Sequence, residues 1–138
     1  MFRRWGVKIL LTCLGIAALL LAGCSTVEKD KRANALQAAT NGYQAALRWG
    51  YYDTALAFLD PQTPPPTINF KGLRLTGYDV MQSLRMPDKA TALQTVSIEY
   101  LYEDRQVVKQ LTDQQRWRWD AAHHAWFLQS GLPKFETR

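Results

Sequence analysis

Thr95-Val96-Ser97-Ile98-Glu99-Tyr100-Leu101-Tyr102-Glu103 alternates apolar and polar side chains almost without a break. Successive side chains on an extended backbone point to opposite faces of a sheet. Val96, Ile98, Tyr100 and Tyr102 therefore share one face. Thr95, Ser97, Glu99 and Glu103 share the other, with only Leu101 breaking the polar set. The pattern predicts a half-buried antiparallel strand, and Glu103-Asp104-Arg105 predicts a hairpin turn after it.

The same alternation continues on both sides. Val107 to Trp119 reads as the next strand, bent near Asp113. Trp117 and Trp119 share a face there, and Arg116 and Arg118 stand opposite as surface rungs facing Glu99 or Glu103. Asp120-Ala121-Ala122-His123-His124 reads as a second hairpin loop, and Ala125 to Ser130 as the last strand. Upstream, Phe70 to Met86 is one strand or two joined at Gly77. Leu73 and Leu75 share a face before Gly77, and Tyr78, Val80 and Leu84 share one after it. That change of parity is what a β-bulge produces.

Before Ile68 the period is helical. Leu36, Ala39, Tyr43, Ala46 and Leu47 form a stripe, Ser25-Thr26-Val27-Glu28 has the form of a capping box, and Gly50 is placed to end the helix. A second, shorter helix fits residues 54–59, capped by Asp53 and stopped by Pro61. Pro64-Pro65-Pro66 reads as a rigid connector. Helices followed by hairpin-linked strands predict an α+β domain over residues 32–138. N-terminal helices would pack on a curved, cone-like antiparallel sheet of about four strands.

This order of elements resembles the cystatin-like, nuclear-transport-factor-2-like superfamily. The Tyr43…Ala46-Leu47-Arg48-Trp49-Gly50 and Gln115-x-Trp117…Trp126-x-Leu128 stretches also resemble small lipoproteins of proteobacteria. The resemblance implies a helix-covered cone able to hold a small ligand, or a carboxylate for proton transfer.

The chain's start carries a separate message. Arg3, Arg4 and Lys8 precede an uncharged run from Ile9 to Gly23. As a helix this run would span about 22 Å, short of a bilayer core of about 30 Å. A basic start, a short apolar run and small residues at its end describe a secretory signal. Leu21-Ala22-Gly23-Cys24 resembles the lipobox of bacterial lipoproteins, which implies cleavage between Gly23 and Cys24 and acylation of the Cys24 thiol. The alternatives are a plain signal peptide or an uncleaved anchor. On the lipobox reading, residues 1–23 leave, 24–31 form a lipidated tether, and acyl chains are the membrane partner. Ser25 after the cysteine, where Asp would favour inner-membrane retention, points to the outer membrane, with the domain on the periplasmic side.

Composition then narrows the function. Three of the 17 basic residues lie in the leader, against 12 acidic residues in the chain, so the remainder is only slightly positive. No clustered basic face for nucleic acid follows. Both cysteines, Cys13 and Cys24, are accounted for by the leader and the lipid site, so the domain is expected to fold without a disulfide. His123 and His124 are adjacent in a turn and lack the spaced partners of a zinc site. Ser83, Ser97 and Ser130 lack the G-x-S-x-G context of a nucleophile.

The expectation is a non-enzymatic binding or accessory lipoprotein with no metal and no cofactor, serving an envelope protein or a small ligand. The alternative is a cone-fold enzyme using a buried carboxylate. Asp53, Asp79 and Glu99 are its candidates, and Glu99, if buried, would need Arg74 or Arg48. The pocket residues expected are Trp49, Tyr52, Arg74, Glu99 and Trp117. Tyr51 adds to the first aromatic cluster, and Trp119 and Trp126 to the second. Both clusters read more simply as core than as ligand-binding walls.

Overall fold

The computed structural model describes residues 27–29 and 31–136. The expected signal segment, the Gly23–Cys24 cleavage and lipid site, and Ser25-Thr26 of the capping box lie outside them. The chain divides into two units, Met1–Asn34 and Ala35–Arg138. In the first, residues 27–29 and 31–34 are helical, and Glu28 pairs with Arg32 at 4.0 Å.

The second unit is α+β. Residues 35–48 form helix α1, and its stripe is buried: Leu36, Tyr43, Ala46 and Leu47 all lie in the core. Gly50 ends it with φ +75. The Tyr51 amide donates to the Ala46 carbonyl at 2.8 Å and the Gly50 amide to that of Leu47 at 3.3 Å, the two bonds of a Schellman turn. Helix α2, Tyr52–Leu56, follows at once. It starts earlier than the spacing predicts, because the chain leaves the turn already at the helix entrance. Tyr51 is the N-cap residue and makes no side-chain cap bond. Asp53 is therefore not the cap; it sits in the first turn, where its charge complements the helix dipole.

Residues 58–60 turn away from helix and join the sheet. Leu59 pairs in parallel with Leu128. The Leu128 amide donates to the Phe58 carbonyl at 2.7 Å, and the Asp60 amide donates to the Leu128 carbonyl at 3.0 Å.

The sheet is antiparallel, in the order β1-β2-β3-β4. Its strands are β1 Leu73–Arg85, β2 Thr91–Tyr102, β3 Lys109–Asp120 and β4 Ala125–Leu128. β2 buries Val96, Ile98, Tyr100 and Tyr102, the face its alternation predicts. In β1 the register shifts between Leu75 and Gly77, so the expected bulge is present. A second shift lies between Val80 and Gln82. It puts Leu84, paired with Leu93, on the opposite face from Val80, paired with Val96. Tyr78, Val80 and Leu84 thus do not share a buried face. Val80 is 46% exposed and Leu84 51%.

α1 covers the Val96–Ile98 face. Tyr43 meets Trp117 edge-to-face at 5.6 Å, and Leu47, Tyr100 and Leu128 close the core. Each such fully buried apolar side chain contributes roughly 1.5–3 kcal/mol.

Candidate groove at the helix junction

The Schellman turn at Gly50 and the first residues of β1 come together around a groove of about 590 Å³. Arg48, Trp49 and Tyr52 line it from the helices, Arg74 and Thr76 from β1, and Glu103 and Gln106 from the β2–β3 turn. Because Gly50 reverses the chain, Trp49 is thrown outward and is 76% exposed. Tyr52 is held in place twice. Its ring stacks on Phe70 at 4.5 Å, and its hydroxyl donates to the Leu73 carbonyl at 2.7 Å. Arg48 Nη1 donates to the Leu75 carbonyl at 3.2 Å. Neither Arg48 nor Arg74 forms an ion pair with a carboxylate among the described residues. Arg48 and Trp49 also border a second depression along α1, lined by Asn41, Gln44 and Ala45.

Three of the five expected pocket residues, Trp49, Tyr52 and Arg74, thus meet in one groove. The other two lie elsewhere. Glu99 is exposed, opposite Gly77 on the sheet face away from α1, and its carboxylate lies over that glycine. It needs no buried partner, because the parity of β2 turns it outward. Trp117 is fully buried, and its Nε1 donates to Gln115 Oε1 at 3.2 Å, which makes it core and not a wall. Asp53 and Asp79 are exposed.

Two carboxylates are buried among the described residues, Asp60 and Asp113, and Asp113 is the one without a cationic partner. It lies 9% exposed on the α1 side of β3, with Gln115 and Trp117. Gln115 Nε2 donates to Asp113 Oδ2 and to the Tyr78 hydroxyl, both at 2.9 Å. Burial pushes the Asp113 carboxyl above the ordinary range, against the Gln115 bond. Burial likewise pushes the Tyr78 phenol up to about 12, and raises Tyr43 strongly with help from the nearby Asp113 charge. The Tyr43 hydroxyl is buried with no hydrogen-bond partner among the described residues. The parity that puts Trp117 and Trp119 on one face extends back to Asp113 and Gln115, and that was the signal for this cluster.

The expected arginine rungs have other partners. Arg118 Nε donates to Asp60 Oδ2 at 2.8 Å, and its Nη2 lies 3.6 Å from Asp120. Arg116 Nε donates to Gln129 at 3.1 Å. Glu99 and Glu103 are not involved, because the register sets Arg116 opposite Leu93 and Arg118 opposite Thr91, while Glu99 stands opposite Gln110. The Arg118 bond holds the buried Asp60 carboxyl below the ordinary range. His123 and His124 are exposed in the turn, and His123 Nδ1 lies 3.1 Å from Asp120. Among the described residues, no three His, Cys, Asp or Glu side chains group as metal ligands. None of the described helices is long and apolar enough to cross a membrane.

No protein-family model matches the chain, and neither a curated protein nor a solved structure matches it. The groove and the buried cluster therefore have to be read from their own chemistry.

Proposed function

We propose that the chain is a lipid-anchored binding domain of the bacterial envelope, held at the outer membrane through Cys24 and facing the periplasm. Its binding surface is the groove at the α1–α2 junction. The observation that carries this is Trp49. A disulfide-free domain of this size gains most by burying its tryptophans, yet Trp49 stands 76% exposed beside Arg48 and Arg74. Exposed aromatic and arginine side chains in one patch are the composition of interface anchors. The lipobox resemblance at Leu21-Ala22-Gly23-Cys24 supports the anchor, and two or three acyl chains would make it effectively permanent.

The test is position-specific photocrosslinking in intact cells. A photoreactive residue at Trp49 should give a discrete adduct, and one at Thr112, exposed on the far face of the sheet, should give none. No adduct from position 49, or equal adducts from both, counts against the reading.

A second reading, acid/base chemistry by a buried carboxylate, is favoured by Asp113 with its raised carboxyl and its tyrosine neighbours. Asp113 does not line the groove, and this weighs towards binding.

A further inference from the structure

We propose that the groove takes an extended acidic peptide segment of a partner protein, laid along the edge of β1. The proposal rests on reading the groove as a binding site, and it names the occupant.

The first argument is the state of the sheet edges. A strand edge presents main-chain groups that want a partner. The β4 edge has one, since residues 58–60 bond to Leu128 from both sides. The β1 edge has no neighbouring strand among the described residues. At its start, the Leu73 and Leu75 carbonyls, two residues apart, are held by the Tyr52 hydroxyl and by Arg48 Nη1. These side chains stand where the N–H groups of an added strand would come. They satisfy the carbonyls in the free protein and can yield to a strand that replaces them.

The second argument is charge. Arg48 and Arg74 line the groove against a single acid, Glu103. Each guanidinium offers five donors, and Arg48 has one of them engaged by Leu75. A carboxylate on the incoming segment can take a paired set from either arginine. The third is Trp49, whose exposed ring at the mouth can cover an apolar residue or a backbone turn of the segment. An anionic sugar or a lipid headgroup would satisfy the arginines alone. Only a peptide also brings amide donors at strand spacing for the two carbonyls.

Anisotropy titration of the purified full chain in detergent tests this. The probe is a fluorescent octapeptide of alternating glutamate and threonine, beside its lysine–threonine counterpart and a version N-methylated on alternate amides. The glutamate peptide should bind saturably. Trp49→Ala, Arg48→Gln and Arg74→Gln should each weaken it by about tenfold, and main-chain methylation should weaken it as much. Met81→Ser, on the exposed second bulge, should leave it unchanged. The Arg74 side chain is exposed and makes no hydrogen bond among the described residues, so Arg74→Gln keeps the comparison valid if Arg48→Gln loosens the fold. Equal binding of the lysine peptide, indifference to N-methylation, no saturable binding, or equally good competition by polygalacturonate would each overturn the proposal. If these peptides fail while the crosslink at position 49 persists, the groove remains a binding site and only its occupant is wrong.

Discussion

Asp113 is a carboxylate buried in the core. Its carboxyl is raised because burial disfavours the charged form, and it faces Tyr43 from α1, Tyr78 from β1 and Gln115 from its own strand. The sign of the pH effect follows. In the unfolded chain the group titrates at its ordinary value, and in the folded one at a higher value. Its stabilising contribution is complete below the unfolded value, falls as pH rises between the two, and is absent above the folded value. Asp60 works the other way. Its lowered carboxyl stabilises above the unfolded value, and that contribution is lost as pH falls through the folded one. Asp113→Asn should therefore remove a decline in melting temperature between acid and neutral pH, and leave the acid limb set by Asp60 in place. Thermal unfolding followed across that range checks this; an unchanged profile would show that Asp113 keeps its ordinary titration. Asp113 was not among the carboxylates brought forward from sequence, where it marked only a bend, although it shares strand parity with Trp117. Its neighbour Tyr78 was not legible as such either, because that phenol meets Gln115 across β2, between residues 37 positions apart.

At the scale of elements, the Schellman turn is the hinge of the design. Gly50 adopts φ +75, where a Cβ is strained, although such a Cβ would meet the Tyr52 ring only at an ordinary 3.9 Å. The penalty of Gly50→Ala is therefore conformational, about 1 kcal/mol, or a melting temperature lower by about 4 °C or more. Gly50→Asn should lose less, since asparagine tolerates the left-handed region. Circular dichroism melts of the two variants decide it; an alanine variant as stable as the parent would mean the turn had rearranged. The helix stripe, the β2 alternation and the Gly77 bulge were readable from periodicity, because each depends on local pattern. The end of α2 was not. Leu59 has helical surroundings in sequence, but its backbone is taken by Leu128, nearly seventy positions on. The partners of Arg118 escaped for the same reason: Asp60 reaches it only because residues 58–60 join the sheet.

For the whole molecule, stability without disulfides and attachment through one cysteine are linked expectations. Residues 25–138 contain no cysteine, so the domain relies on packing around Trp117, Tyr43 and Tyr100. Cys24→Ser should abolish incorporation of labelled palmitate and leave the uncleaved precursor, read by mass spectrometry of the membrane fraction. A processed, acylated variant would refute the lipobox reading. The substitution should leave the melting temperature of the domain unchanged, because no described core residue lies near that position in the chain.

The amino-acid order by itself determined the class of fold, the buried face of β2, the stripe of α1 and the turns, because these follow from side-chain period and backbone conformation within a few residues. It also brought Trp49, Tyr52 and Arg74 forward as candidates. Tertiary structure alone decided which candidates meet. The second bulge in β1 and the capture of residues 58–60 by β4 set which faces are covered. Packing of α1 on the Val96–Ile98 face left Glu99 outside, Trp117 and Asp113 inside, and brought Arg48 and Tyr52 onto two carbonyls of an edge strand. Such contacts join residues far apart in sequence, and no local pattern carries their energy.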